Sequence, residues 1–174
     1  MIKKILLGLV LFVGLVVVIF FAFGFFKPII TVETITLVNK PRNVAWKYFI
    51  DESKLKEWMT NIKSIEKISG EPNKVGSKFK MTFEENGDEI VMTETMTEFR
   101  DNEVFGFTLE NEVISDDVRI TFTDRGDKTE IVQTDKLTGG NIFWRSLFAI
   151  LESTFHKNTA ETYEKLKARI EAQP

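Results

Sequence analysis

The chain has 174 residues, enough for one domain and an additional segment, and carries 23 basic and 26 acidic residues for a net charge of −3. It contains no cysteine and one histidine, His156, which excludes disulfides, thiolate nucleophiles and zinc sites built from several Cys or His residues. Acidic and basic residues alternate without a long basic run, so nucleic acid is not expected as a partner. No cofactor or metal is expected either.

Residues 5–26 form an apolar run without a charged side chain. A helix of this length spans the hydrocarbon core of a bilayer, about 30 Å. The sequence therefore predicts a transmembrane anchor at residues 1–27 and one domain at residues 28–174. A cleaved signal peptide is the alternative, but the run is long for a signal peptide and its phenylalanine-rich end suits a cleavage site poorly.

The charges flanking the run predict its orientation. Lys3, Lys4 and the amino terminus precede it, and Lys27 follows it. Positive charge favours the cytoplasmic side of a membrane. We therefore expect a single-pass membrane protein with a cytoplasmic N-terminus and a domain outside the cytoplasm, although Lys40 and Arg42 act against this orientation.

The segment after the apolar run predicts a strand and two short helices. Residues 29–38 (IITVETITLV) are rich in β-branched side chains, which favour a strand. Pro41 then marks the first turn of a short helix. A second short helix at about residues 54–59 carries Trp58, and Pro72 breaks the chain beyond it.

Apolar and polar side chains alternate from Ser77 to Thr138, which predicts antiparallel strands. Turn signals separate these strands at Asn86 and Gly87, at residues 101–102 and at residues 124–127. Together with the first strand, this run predicts a sheet of about seven strands.

Residues 141–173 contain no glycine or proline and predict one long helix, which Asn141 can cap. Its apolar stripe follows spacings of three and four residues and consists of Phe148, Leu151, Phe155, Thr159, Thr162, Leu166 and Ile170. The first third of this helix is apolar on two faces. We expect a second protein wall, an apolar ligand or a membrane surface to meet it there, or short helices and loops to cover it.

These elements predict an α+β fold in which a curved antiparallel sheet packs around the long C-terminal helix, because a sheet with one apolar face needs a cover. A sheet that grips a single helix tends to enclose a cavity, and the two short helices would complete one end of it.

Five segments of residues 30–171 resemble the START-like superfamily, whose members share the helix-grip fold. They are residues 39–46 (NKPRNVAW), 55–59 (LKEWM), 75–79 (VGSKF), 95–99 (TMTEF) and 128–130 (KTE). The superfamily includes polyketide cyclases and dehydratases, lipid carriers and coenzyme-Q-binding proteins. The resemblance implies a cavity for a hydrophobic ligand, but it implies no particular reaction and carries over no catalytic residue.

The candidate lining of this cavity combines aromatic, methionine and aliphatic side chains, and methionine suits pockets that adapt to their ligand. The candidates on the strands and short helices are Trp58, Phe79, Met81, Phe83, Met92, Glu94, Met96, Phe105, Phe107, Ile120 and Phe122, and those on the C-terminal helix are Phe148, Leu151 and Phe155. A filled core built from the same residues is the alternative.

Three polar residues share the alternation of the candidate lining. Glu94 has the parity of Met92 and Met96, while Gln133 and Asp135 have the parity of the apolar position 131. If they face inward, they can orient a polar head group or a carbonyl. A buried carboxyl would also have a raised pKa and could act as a general acid or base.

Three functional hypotheses remain open on this evidence. The first is a membrane-anchored, non-enzymatic binding domain for a lipid or other hydrophobic small molecule, with a monomeric soluble part. The second is an enzyme of the cyclase or dehydratase kind that uses Glu94 or Asp135. The third is a protein-interaction module with a filled core.

Overall fold

The computed structural model describes residues 2–85 and 87–174. Its elements in chain order are α1 (Ile2–Phe26), β1 (Ile29–Val38), α2 (Arg42–Phe49), a 3-10 turn (Glu52–Lys54), α3 (Leu55–Trp58), β2 (Ile62–Ser69), β3 (Lys78–Glu85), β4 (Asp88–Arg100), β5 (Val104–Glu110), β6 (Ile114–Asp124), β7 (Thr129–Gly139), α4 (Ile142–Ile150) and α5 (Glu152–Glu171). The predicted α+β helix-grip architecture is confirmed.

The strands form one antiparallel sheet of seven strands in the order β1-β7-β6-β5-β4-β3-β2. The first strand of the chain pairs with the last, so Ile29 lies opposite Thr138 and Val38 lies opposite Thr129. Along β1, alternate residues from Ile30 to Val38 are buried and those between them are exposed. This two-residue period gives the sheet one face that needs covering.

Helix α5 covers that face with three fully buried side chains, Tyr163, Leu166 and Ile170. They pack in one core cluster with α2, which contributes Trp46 and Phe49, and with inward residues of β6 and β7. At about 1.5 Å per residue, the 20 residues of α5 extend about 30 Å along the sheet. The cluster holds the short helices and the long helix on the same face.

Strand β2 was not expected from the sequence. Its isoleucines, Ile62, Ile65 and Ile68, are spaced by three residues, and its pairing with β3 contains two register shifts. These irregularities remove the two-residue period by which strands are recognised. At the next hairpin, Gly87 lies between β3 and β4, whereas Asn86 of the predicted turn lies outside the described residues.

The predicted single C-terminal helix is two helices that meet at Leu151. Asn141 caps the first as predicted, since its side-chain oxygen accepts hydrogen bonds from the backbone N–H groups of Phe143 and Trp144. The two helices bury side chains in different places: Phe148 of α4 joins a cluster with Ile30 and other residues near β1 and β7, while α5 serves the main core. Because no glycine or proline marks residue 151, the break has no local signal.

Helix α1 packs against α4, which gives the first third of the C-terminal segment the second wall that was one expectation. Gly24 is buried there, and a Cβ on it would lie 2.6 Å from the backbone nitrogen of Ser146. The rings of Phe20 and Phe143 meet with centroids 5.6 Å apart, and Lys27 forms an ion pair with Glu152. Residues 5–19 of α1 are apolar and exposed.

We predict that Gly24→Val separates α1 from α4, because no Cβ fits against the Ser146 backbone. Since the chain has no cysteine, Phe20→Cys with Phe143→Cys provides a unique pair for a short thiol cross-linker. Cross-linking yield in membranes should fall several-fold in Gly24→Val. Gly14→Val is the matched control, because a Cβ at Gly14 meets no heavy atom within 4 Å. Equal yields in the two variants would contradict the close approach.

Candidate functional site

A cavity of about 380 Å³ lies between the sheet and helices α3 and α5. Its walls come from β2 to β7, from the segment joining α2 to α3, and from α5. Several lining residues are exposed and mark where the cavity meets solvent. They are Glu52, Asn61, Pro72, Asn73 and Asn158. The volume lies within the range of about 300–1,000 Å³ that small-molecule sites occupy.

Eleven of the fourteen sequence-predicted site residues line this cavity. They are Trp58, Phe79, Met81, Phe83, Met92, Glu94, Met96, Phe105, Phe107, Ile120 and Phe155. Cross-strand pairing brings several of them together, since Met81 lies opposite Met92 and Phe79 lies opposite Glu94. Most of the lining is therefore apolar and adaptable in shape. Contact between these eleven residues and a ligand remains a prediction.

The structure places the other three predicted site residues away from the cavity. Phe122 packs edge-to-face on Trp46, with ring centroids 5.1 Å apart, and fills the core beneath α2. Phe148 faces Phe155 and the cluster around Ile30. Leu151 is exposed at the junction of α4 and α5, because the break in the helix turns it off the predicted stripe.

Three carboxyl groups share the cavity face of the sheet. Strand register places Glu94 opposite Leu109, and Leu109 opposite Asp116, so these residues form one row across β4, β5 and β6. Asp135 lies opposite Val118, in the next row of β7. Asp116 and Asp135 are therefore diagonal neighbours on adjacent strands, and their Cα atoms are about 7–8 Å apart.

A short hydrogen-bond chain orients one of these carboxyls. The Tyr163 hydroxyl donates to the Gln133 side-chain oxygen at 2.5 Å, and the Gln133 amide nitrogen donates to Oδ1 of Asp135 at 2.6 Å. Asp135 is only 3% exposed, and its Oδ2 has no hydrogen-bond partner among the described residues. Oδ1 of Asp116 and Nε1 of Trp58 are likewise buried without a partner there. All three unpaired atoms belong to side chains that line the cavity.

Burial raises the pKa of every one of these carboxyls. The pKa of Glu94 rises from 4.5 to about 7, mainly through burial and in part through the nearby Glu52. Burial and the neighbouring Asp135 raise the pKa of Asp116 from 3.8 to about 8. Burial raises the pKa of Asp135 from 3.8 to about 6, against the opposing effect of the Gln133 hydrogen bond. Each of the three can therefore exchange a proton near neutral pH.

Sequence reasoning missed Asp116 and Tyr163. Ser115, Asp116 and Asp117 form a polar run at the start of β6, ahead of its apolar positions. The signal was present in the alternation, because Asp116 has the parity of Val118 and Ile120. Tyr163 lies beside the predicted helix stripe, one residue from Thr162, and its ring occupies the buried side.

The described residues, 2–85 and 87–174, contain no group of three or more His, Asp and Glu side chains arranged to hold a metal ion. The chemistry that the site offers by itself is burial of an apolar molecule, hydrogen bonding to its polar part, and proton exchange through carboxyls.

Comparisons with known proteins agree with this architecture. The family model described as "Activator of Hsp90 ATPase homolog 1-like protein" matches residues 39–171. A solved structure from Thermus thermophilus is 16% identical, with a TM-score of 0.66 over 80% of this chain and 96% of that chain. No curated protein matches the sequence.

Two further solved structures share the fold. The Zhui aromatase/cyclase from Streptomyces sp. R1128 is 12% identical, with a TM-score of 0.67 over 82% of this chain and 94% of that chain. The ginseng major latex-like protein 151 from Panax ginseng is 13% identical, with a TM-score of 0.61 over 82% of this chain and 97% of that chain. At such identities the likeness concerns the fold and transfers no residue roles.

We predict that the ligand-free protein loses stability as the pH rises. The folded-state pKa of Asp116, about 8, is above its ordinary value of 3.8. The protonated carboxyl therefore makes its full contribution to the unfolding free energy below about pH 4. This contribution is lost as the pH rises from about 4 to about 8. Asp116→Asn stays neutral, so its unfolding free energy relative to the wild type should increase by at least about 1.4 kcal/mol, the equivalent of one pKa unit, between pH 5 and pH 8.

Urea unfolding of the delipidated full-length protein, followed by tryptophan fluorescence, measures this difference. Asp117→Asn is the matched control, because Asp117 is exposed on the opposite face of the same strand. A wild-type unfolding free energy that stays constant or rises between about pH 5 and pH 8 would contradict the assignment.

Proposed function

Since this chain belongs to the activator of Hsp90 ATPase homolog 1-like family, and through it to the START-like superfamily, we propose that it is a binding domain for a hydrophobic small molecule or lipid, held at a membrane by α1. The observation that carries this proposal is the cavity of about 380 Å³ between the sheet and α5, lined mainly by aromatic, methionine and aliphatic side chains. The ligand would lie inside it, out of contact with water.

The cavity distinguishes this proposal from a module with a filled core. Phe79, Met81, Met92 and Met96 are at most 8% exposed, so they are packed as tightly as core residues and still border the empty space. A filled core would leave no such volume between the sheet and α5. An open volume of this size within an apolar wall favours an exchangeable occupant.

The membrane part of the proposal rests on helix α1 and its contact with α4. Helix α1 is 25 residues long with a mean hydropathy of 3.2 in its most apolar window, and none of that window is buried in the protein. At the α1–α4 contact, Ile142, Phe143, Ile150 and Leu151 remain 38–50% exposed. A bilayer surface would bury both these side chains and α1.

The proposal includes an orientation. Lys3 and Lys4 favour a cytoplasmic N-terminus, which would put the domain on the other side of the membrane. The proposal also divides the chain at residue 27, between the end of α1 at Phe26 and the start of β1 at Ile29. A C-terminal reporter that is active only in the cytoplasm should give no signal, and a strong signal would reverse this orientation.

An enzyme is the second candidate, because Glu94 and Asp135 have pKa values of about 7 and 6 inside an apolar cavity. Such groups suit general acid–base chemistry at neutral pH. The Zhui structure of the same fold is that of an aromatase/cyclase. A reaction on a carbonyl-bearing hydrophobic substrate would use the same cavity, so the two candidates differ in turnover.

We predict that the wild-type protein binds the neutral fluorophore N-phenylnaphthylamine and that Leu109→Trp weakens this binding about ten-fold or more. Leu109 lines the cavity, and an indole in its place would occupy part of the volume that the probe needs. Ile35→Trp is the matched control, because Ile35 is 64% exposed on the outer face of β1.

Fluorescence titration of the delipidated full-length protein measures both affinities. The proposal fails if the wild type does not bind the probe, or if Leu109→Trp and Ile35→Trp bind it equally well. If the probe binds as expected, native mass spectrometry of the protein purified from its own cells would identify the natural occupant by its mass.

Glu94→Gln separates the two candidates, because it retains shape and hydrogen bonding while it removes the proton that an acid or base must exchange. For a binding domain we expect only an affinity change, of at most about 1–3 kcal/mol. For an enzyme, turnover of a hydrophobic carbonyl substrate would fall by about 100-fold with binding largely kept. Turnover lost selectively in Glu94→Gln would therefore replace the first candidate by the second.

A further inference from the structure

The cavity is acidic as well as apolar. Its lining contains four carboxyl side chains, those of Glu52, Glu94, Asp116 and Asp135, and no Lys, Arg or His among the residues that the structure describes. Three of these acids, Glu94, Asp116 and Asp135, come from the sheet, and Glu52 comes from the 3-10 turn at the mouth. A cationic group on a ligand would suit this site, because an opposite charge stabilises a buried carboxylate.

Asp116 and Asp135 are the two acids of this set that have an unpaired side-chain oxygen. Asp135 is 97% buried, and the chain of hydrogen bonds from Tyr163 through Gln133 fixes its Oδ1. Its Oδ2 remains unpaired within the described chain, as does Oδ1 of Asp116 on the neighbouring strand. A buried acceptor without a donor costs about 1–3 kcal/mol, so a donor on a bound molecule would stabilise both oxygens.

The spacing of the two carboxyls suits one ammonium group between them. Their backbone positions are diagonal neighbours about 7–8 Å apart. An ammonium nitrogen makes hydrogen bonds of about 2.8 Å to each carboxylate oxygen, and with donors at tetrahedral angles it joins two oxygens about 4.6 Å apart. Both side chains line the same cavity from adjacent strands, and Asp135 lies close enough to Asp116 to raise the pKa of its carboxyl. A primary ammonium also has three donors, enough for both unpaired oxygens and one more acceptor.

We propose that the occupant of this cavity is an amphiphile with a primary amine head, whose ammonium group lies between Asp116 and Asp135 while its apolar part lies against the methionine and phenylalanine lining. This inference rests on the proposed function, because it names the class of molecule that the same cavity binds. An anionic head group would instead meet four acids without a counter-charge, and an alcohol would leave at least one oxygen unpaired.

The charge environment also determines how amine binding depends on pH. The groups that line the cavity around the two aspartates are Gln133 on β7, Glu94 on β4, Glu52 at the mouth and Tyr163 on α5, and the ionisable ones are all acids. Asp117 and Lys136 pair with each other in the strand register and are exposed on the outer face of the sheet. Burial raises the pKa values of Asp116 and Asp135 to about 8 and 6, so both carboxyls become charged only as the pH rises through this interval. Amine affinity should therefore increase from about pH 5 to about pH 8, while alcohol affinity should not increase.

The experiment compares octylamine, octanol and octanoate, which share one tail and differ in the head group. Each is titrated calorimetrically into delipidated full-length protein in a non-ionic detergent, with protein-free micelles subtracted. We expect octylamine to bind about ten-fold or more tightly than octanol at pH 8, and octanoate to bind weakest. Asp116→Asn and Asp135→Asn should each remove the preference for octylamine and leave octanol affinity nearly unchanged, whereas Asp117→Asn should retain the preference.

The outcomes separate this inference from the proposed function. If octanol or octanoate binds as tightly as octylamine, or if only neutral N-phenylnaphthylamine binds, the cavity is a hydrophobic site without amine selectivity and the inference is overturned alone. If none of the four compounds binds, the proposed function fails as well. Because the comparison of head groups uses wild-type protein, it decides the inference even if the aspartate variants do not fold.

Discussion

The apolar face of the seven-stranded sheet is the constraint on which the rest of this structure depends. Alternation along the strands puts apolar side chains on that face, and water must be removed from it for the domain to be stable. Helix α5 is the only element of the described domain that is long enough to cross it. Tyr163, Leu166 and Ile170 attach α5 firmly over β1, β7 and the short helices. The sheet is wider than one helix, and the part that α5 leaves uncovered, from β2 to β7, becomes the cavity.

The cavity combines two environments that act against each other in the empty protein. Met81, Met92, Met96 and the phenylalanines around them provide an apolar medium, and this medium is what raises the pKa values of Glu94, Asp116 and Asp135. Polar groups in such a place lower the stability of the fold unless they are paired. Natural proteins commonly retain destabilising groups of this kind where binding or catalysis requires them. On the proposed function, the acids are retained for the molecule that the cavity binds.

The contact between α1 and α4 connects the cavity domain to the apolar helix at the start of the chain. Gly24 allows the two helices to approach until a Cβ would not fit, and the Lys27–Glu152 ion pair joins the end of α1 to the start of α5. Helix α4 also packs on β1 and β7 through Phe148. The same short helix thus contacts the apolar helix on one side and the sheet on the other, which explains why its sequence is apolar on two faces.

Chain-local patterns determined much of this protein. Four features follow from geometry within one segment, so the sequence pattern of that segment was enough to predict them. They are the long apolar run of α1, the two-residue alternation of β1 and β3 to β7, the Asn141 cap and the stripe of α5. The alternation was also enough to place Glu94, Gln133 and Asp135 on the cavity face, because parity along a strand continues unless a bulge interrupts it.

Other features depend on which segments meet, and only the tertiary structure decided them. The bulged pairing of β2, the break at Leu151 and the approach of Gly24 to Ser146 arise from packing between residues far apart in the chain. Asp116 has the parity of the inward residues of β6, but it became half of a carboxyl pair only when β6 paired with β7. Parity along one strand predicts which face a side chain occupies, whereas its neighbours across the sheet depend on a pairing register that neither strand contains by itself.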